Sequence, residues 1–73
     1  MSNKSMTPAA VKAIRADLRM TQARLADAIG VSRATVARWE MDRDSPHSRV
    51  PDRQSQKALA MLLYFETHEP PRG

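Results

Sequence analysis

Hydrophobic residues recur at spacings of three and four near the start of the chain, which is the period of an α-helix. One apolar stripe is formed by Val11, Ile14 and Leu18. Thr7 followed by Pro8 is a strong helix start, because threonine caps free N–H groups and proline at the first helical position needs no N–H partner. The pattern predicts a first helix from Thr7–Pro8 to Leu18, preceded by a disordered tail at residues 1–6.

Two short helices are predicted next, with a tight turn between them. Thr21 can cap a helix over residues 22–29, and Gly30 suits its C-terminus because glycine tolerates the left-handed conformation. Ser32 can cap a third helix that runs over residues 33–41. Helices this short, joined by only a few residues, must cross at a steep angle.

The remaining chain predicts a loop and a fourth helix. Residues 42–52 contain two prolines and no apolar period, so we expect a surface loop, either functional or disordered. Asp52 can cap a last helix that runs to about Thr67, and residues 69–73 form a C-terminal tail. The sequence therefore predicts an all-α fold, a compact four-helix domain at residues 7–68.

The third predicted helix has two different faces. On a helical wheel its buried half carries Val36 and Trp39, with Thr35 and Glu40 at the margins. The other half carries Arg33, Ala34, Ala37 and Arg38. The small alanines would let the backbone approach a groove floor, and arginines can read guanine edges. This face favours reading of DNA bases, although an ordinary exposed Arg/Ala surface is the alternative.

The charge balance agrees with a polyanionic partner but does not identify one. Twelve Lys and Arg residues, nine of them arginine, stand against eight Asp and Glu, which gives +4 at pH 7 and a pI near 10.4. Arginine suits bidentate phosphate and guanine contacts. A GC-rich genome would produce the same bias.

Several classes of function are disfavoured by the residues present. The chain has no cysteine, and His47 and His68 lack metal-ligand spacing, so we expect neither metal nor cofactor. Asp44, Ser45 and His47 share a proline-rich loop without a rigid orienting group, so we do not expect an enzyme. No apolar run is long enough for a membrane span or signal peptide, which predicts a cytoplasmic protein.

The stretch Thr21-Gln-Ala-Arg-Leu-Ala-Asp-Ala-Ile-Gly-Val-Ser-Arg-Ala-Thr-Val-Ala-Arg-Trp-Glu40 resembles the helix-turn-helix of the lambda-repressor/Cro-like (XRE) regulators. Their pattern has Thr-Gln entering the second helix, Leu-Ala within it, Gly at the turn, Val-Ser after it and Trp-Glu closing the recognition helix. Every slot is filled, and the resemblance covers roughly residues 8–65. It implies binding of double-stranded DNA through the third helix in the major groove.

The resemblance also implies a role for individual residues. The base readers would be Arg33, Ala34 and Arg38. The phosphate contacts would be Gln22, Ser32, Thr35 and Arg43. Gln22 could also brace the recognition helix, Ala26 would allow close packing of the second and third helices, and the Ser32 hydroxyl is equally needed as a helix cap.

Arg15 and Glu40 occupy positions where the family often has an ion pair, so we expect them to fix the third helix against the first. Two departures from the family are visible. Asp42 occupies a position where the family commonly has a glycine, so the resemblance does not determine how the chain leaves the third helix. The chain also lacks the fifth helix of many members, so its oligomeric state cannot be copied from them.

The last predicted helix is apolar on every side from Ala58 to Phe65. We expect its inner face to contain Leu59, Leu62 and Leu63. The outer face would then contain Met61, Tyr64 and Phe65, which we predict as the interface of a homodimer. The alternative is that the 42–52 loop covers this face.

Taken together, these features predict a transcriptional repressor, in particular an autorepressor of its own operon, that binds an inverted-repeat operator as a dimer. A chain of 73 residues has no room for a ligand-sensing domain, so we expect no small-molecule ligand and repression by simple occupancy. The alternative is a protein-interaction or antitoxin-type subunit with the same fold, in which the exposed half of the third helix would be apolar. Structured RNA is a further alternative, but its deep, narrow major groove does not admit a helix.

Overall fold

The computed structural model describes residues 6–67, which contain four helices: α1 (Pro8–Leu18), α2 (Gln22–Ile29), α3 (Arg33–Trp39) and α4 (Arg53–Thr67). This part of the chain contains no strand. The predicted all-α, four-helix fold class is therefore confirmed. Most of the predicted N-terminal tail and all of the C-terminal tail, together with His68, lie outside the described residues.

The four helices begin where the sequence predicted, because each is preceded by a capping residue. In each case a side-chain oxygen accepts a hydrogen bond of 2.9–3.1 Å from the N–H three residues later. The capping residues are Thr7, Thr21, Ser32 and Asp52. These bonds satisfy N–H groups that have no partner within their own helix.

Two helices end at a residue in the left-handed conformation. Gly30 has φ 82° after α2, and its N–H and that of Val31 both donate to the Ala26 carbonyl. After α1 the same role falls to Arg19, with φ 57°. The Arg19 and Met20 N–H groups then close a Schellman-type ending on carbonyls of the last turn.

The end of α3 corrects the sequence prediction, which extended the helix to about Met41. The helix ends at Trp39, and Glu40 follows with φ −92° and ψ −2°. The Arg38 carbonyl accepts the Met41 N–H in a tighter turn and also the N–H of Arg49, from the following loop. The loop backbone thus replaces the helical partner of this carbonyl.

The core lies where the four helices meet. Its buried apolar side chains are Val11, Leu25, Ala26, Val36, Trp39 and Leu59. α2 packs on α3, and α4 packs on α1 and α2. Met6, placed in the tail by the sequence analysis, packs against this core from the chain preceding α1. The arrangement leaves one side of α3 and one side of α4 uncovered.

Short-range hydrogen bonds shape the 42–52 loop. Asp42 Oδ1 accepts the Asp44 N–H at 3.0 Å, and Ser45 Oγ accepts the His47 N–H at 3.2 Å. Pro51 is fully buried at the end of the loop. Among the described residues only Arg19 combines a side chain with positive φ, so Asp42 needs no glycine at the position where the family commonly has one.

The two left-handed positions yield opposite predictions. A Cβ at Gly30 would meet no atom within 4 Å, so Gly30→Ala suffers only from the strained φ, and we expect a loss of about 1 kcal/mol. Arg19→Gly should gain a similar free energy of unfolding, because glycine adopts positive φ without that strain. Each kcal/mol corresponds to a shift of about 4–8 °C in the melting temperature. Thermal melts of both variants, with Arg19→Ala as the control for losing the arginine, check this. A Gly30→Ala protein as stable as the wild type would contradict it.

Candidate nucleic-acid interface

The uncovered side of α3 carries the residues predicted to read bases. Arg33, Ala34 and Arg38 are all exposed, whereas Val36 and Trp39 on the opposite side are buried. α3 can hold this orientation because its buried side packs on the core and its N-terminus is capped by Ser32. The structure therefore brings two guanidinium groups and a small side chain onto one accessible surface.

The turn between α2 and α3 sets the angle of this surface. Gly30 turns the chain sharply, Val31 packs inward, and α3 begins after Ser32. Ala26 is only 2% exposed, and its small side chain permits the close contact between the two helices. The outward face of α3 thus projects from a tightly packed helix pair.

Ser32 and Thr35 bring two hydroxyl groups together at the start of α3. Their oxygens are 2.9 Å apart, and Ser32 Oγ also accepts the Thr35 N–H at 3.1 Å. One hydroxyl proton is used between the two side chains, and the other remains able to donate. Ser32 therefore acts as a helix cap while the pair keeps a donor that suits a phosphate oxygen.

Gln22 lies in the first turn of α2, and both ends of its side-chain amide form hydrogen bonds with other residues of the chain. Its Nε2 donates to Glu40 Oε1 at 3.1 Å, and its Oε1 accepts from Arg33 Nη1 at 3.4 Å. The family resemblance implied a bracing role for Gln22 but did not indicate Glu40 as its partner. That contact joins residues far apart in the chain, and no local pattern marks it.

Arg15 and Glu40 form a bidentate ion pair between α1 and the end of α3. Arg15 Nε donates to Glu40 Oε2 at 2.7 Å, and Arg15 Nη2 donates to Glu40 Oε1 at 2.9 Å. The Glu40 side chain is 4% exposed and that of Arg15 is 26% exposed. The second Arg15 amino group reaches the Met20 carbonyl at 3.3 Å. The pair ties the end of α3 to α1.

The charged form of Glu40 is stabilised by its partners. Burial acts to raise the pKa of Glu40, but the hydrogen bonds from Arg15 and Gln22 and the positive charges of Arg15 and Lys12 outweigh it. The pKa of Glu40 is consequently lower than its ordinary value. The same contact raises the pKa of Arg15, so both members of the pair stay charged at neutral pH.

Arg43, predicted as a phosphate contact, is exposed, but its guanidinium already donates hydrogen bonds within the chain. Its Nη2 donates to the Met6 carbonyl at 2.6 Å, and its Nη1 donates to Ser48 Oγ at 3.2 Å. It therefore links the segment that precedes α1 to the α3–α4 loop. A phosphate at this position would have to share the guanidinium with these acceptors.

Comparison with known proteins matches this chain to a protein-family model. A family model described as a helix-turn-helix matches residues 11–50, more than half of the chain, from within α1 through α2 and α3 into the following loop. No curated protein and no solved structure matches the chain. Over residues 6–67, no helix has the length and apolarity to cross a membrane, and no group of three metal-ligating side chains occurs.

The burial of the ion pair predicts unequal effects of removing its two members. Arg15→Ala would leave the buried Glu40 carboxylate with Gln22 as its hydrogen-bonding partner, and we expect a loss of about 3 kcal/mol or more. Glu40→Ala should cost less, because the partly exposed Arg15 can turn toward water. Urea unfolding of both variants measures the difference. Two variants as stable as the wild type would contradict the structural role of the pair.

The lowered pKa of Glu40 predicts acid sensitivity. The pKa of Glu40 is lower in the folded state than in the unfolded state. Its carboxylate therefore stabilises the protein at pH values above the unfolded-state pKa, and this stabilisation is lost as the pH falls through the folded-state pKa. We expect the melting temperature to fall as the pH drops below about 4.5, the ordinary pKa of a glutamate, and to fall less steeply for Glu40→Gln. Asp52, whose pKa is lowered by its hydrogen bonds with Ser55, should retain its share of the slope in that variant. Identical slopes for both proteins would refute the assignment.

Proposed function

Because the chain belongs to the helix-turn-helix family of lambda-repressor/Cro-like DNA-binding regulators, we propose that it recognises a specific DNA sequence with α3 and represses transcription. The observation that carries this proposal is the outward face of α3, where Arg33 and Arg38 are exposed beside Ala34. A helix with this face fits the major groove of B-DNA, where each base pair presents a distinct set of donors and acceptors.

Arg33 and Arg38 are the proposed base readers. A guanidinium can donate two parallel hydrogen bonds to O6 and N7 of guanine, which is the commonest specific contact in the major groove. Ala34 and the half-buried Ala37 keep the helix surface low between the arginines, so the backbone can lie close to the base edges. The Ala34 methyl group suits a thymine methyl. An apolar outer face would instead have favoured a protein partner.

Phosphate contacts are proposed to fix the register of α3 on the duplex. Their candidate donors are Gln22, Ser32, Thr35 and Arg43. The free hydroxyl proton of the Ser32–Thr35 pair supports this role, and so does the net charge of +4. Arg43 would bind phosphate with the guanidinium edge that its contacts to Met6 and Ser48 leave over.

The proposed target is an inverted repeat bound by two copies of the chain in the cytoplasm. α3 has seven residues, and one helix of this length reaches only a few base pairs. Two copies whose recognition helices lie about 34 Å apart would read successive major grooves and give the specificity that one copy lacks. Occupancy of an operator within a promoter would then block transcription, including that of its own operon.

Substitution of Arg38 tests base reading. The binding sequence is first selected from random duplexes, and its presence upstream of the coding sequence is checked by footprinting. Arg38→Ala should weaken binding to the selected sequence by about 5- to 150-fold per half-site, with a much smaller effect on random DNA. Arg53→Ala, which removes an exposed arginine from the start of α4, serves as the control and should leave the preference intact.

The same titrations separate the other possibilities. Equal loss of affinity for selected and random DNA would make Arg38 a phosphate contact and refute its assignment. A folded wild-type protein that selects no sequence would argue for a protein-binding role of the fold. A reporter under the selected promoter, whose expression falls when the protein is present, tests repression separately from binding.

A further inference from the structure

The outer face of α4 carries an apolar cluster that the other residues of the described range 6–67 leave exposed. Met61, Tyr64 and Phe65 are 52%, 56% and 59% exposed, whereas Leu59 on the opposite face is fully buried. The Tyr64 and Phe65 rings contact each other edge to face, with their centroids 5.7 Å apart. Contiguous exposed apolar surface of this kind marks an interaction site on a small protein.

The exposed residues follow a spacing that suits a second helix. Gln54, Lys57, Met61 and Tyr64 are all exposed and are separated by three, four and three positions, with Phe65 beside them. This is the a/d spacing of a coiled-coil seam, in which successive side chains lie in one stripe. α4 thus has one apolar stripe for its own core and a second stripe on its outer side.

We propose that this outer stripe packs against the same stripe of a second copy, with the two α4 helices antiparallel and Met61 at the two-fold axis. The inference rests on the proposed function in one respect, since it supplies the dimer that an inverted repeat requires. In this arrangement a residue n positions before Met61 faces the residue n positions after it in the other copy. Lys57 of each copy therefore lies beside the second copy's Tyr64 and Phe65.

The chemistry of the stripe favours a second copy in this orientation. The Lys57 methylene chain can cover an aromatic ring while its ammonium group interacts with the ring face, which joins the two chemically different ends of the stripe. A parallel pair would place Lys57 against Lys57 and would incur repulsion between like charges. Two-fold antiparallel pairing forms this lysine–aromatic contact at both ends of the interface, because each copy supplies one lysine and one aromatic pair.

The size of α4 sets the strength of this contact. A helix of 15 residues is about 22 Å long, so one α4 pair lies at the small end of specific interfaces. The dimer should consequently dissociate on dilution and be stabilised by a duplex that carries two half-sites. Since α4 packs on α1 and α2, the pairing leaves the outward face of α3 accessible.

Sedimentation equilibrium without DNA tests the interface. The wild type should associate to a dimer as its concentration rises into the range of tens to hundreds of micromolar, and Phe65→Asp should raise the dissociation constant about tenfold or more. Ala23→Asp is the matched control, because it adds the same charge to an exposed position on α2, outside the α4 stripe. Circular dichroism verifies that both variants fold. A monomeric wild type, or equal effects of the two substitutions, would overturn the proposal.

Single cysteines test the orientation, since the chain contains none of its own. Met61→Cys should form a disulfide-linked dimer on mild oxidation, and Lys57→Cys mixed with Phe65→Cys should form a mixed dimer. Lys57→Cys alone should remain largely monomeric. Efficient self-linkage of Lys57→Cys would show a parallel pair, and no linkage in any of these samples would show that the stripe is not the interface.

Failure of this inference can be told apart from failure of the proposed function. Association and cross-linking are measured without DNA, whereas base reading is measured on a duplex with one half-site. A cross-linked dimer that selects no DNA sequence would retain the interface and refute the function. A monomer that reads a half-site in an Arg38-dependent way would retain the function and refute the interface.

Discussion

The Arg15–Glu40 ion pair is the contact on which the position of α3 depends. α3 has only seven residues, too few to be stable as an isolated helix, so its orientation must come from packing and from fixed polar contacts. A buried carboxylate is costly unless it is fully paired, and here two hydrogen bonds from Arg15 and one from Gln22 satisfy it. These directional bonds confine the end of α3 more narrowly than apolar contacts alone.

The same carboxylate connects the interior to the surface that faces DNA in our proposal. Glu40 holds the Gln22 amide, and the other end of that amide accepts from Arg33 on the outer face of α3. At 3.4 Å the bond to Arg33 is long, so the arginine can exchange it for a base or phosphate acceptor at little cost. The recognition surface therefore combines a fixed backbone with side chains that remain free to bind.

The sequence predicted what local chemistry determines. Thr7, Thr21, Ser32 and Asp52 marked all four helix starts, because each capping bond spans only three residues. The end of α3 was predicted two residues too late, because the Arg38 carbonyl bonds to a backbone group of the following loop. The helical period of the sequence predicted which side chains of α3 face outward. The engagement of Arg43 with Met6 did not, because the two residues meet only in the folded chain.

The outer face of α4 shows why a chain of this size can carry more apolar residues than its core needs. A domain of about 60 residues buries only about 60% of its unfolded surface, so its own core supplies limited stability. An apolar stripe left outside by the fold becomes useful when a second copy covers it, because association then adds burial that the monomer cannot provide. Pairing through α4 would also couple stability to DNA recognition. A duplex with two half-sites would raise the local concentration of the copies, and the covered stripe would in turn hold both α3 helices on their sites.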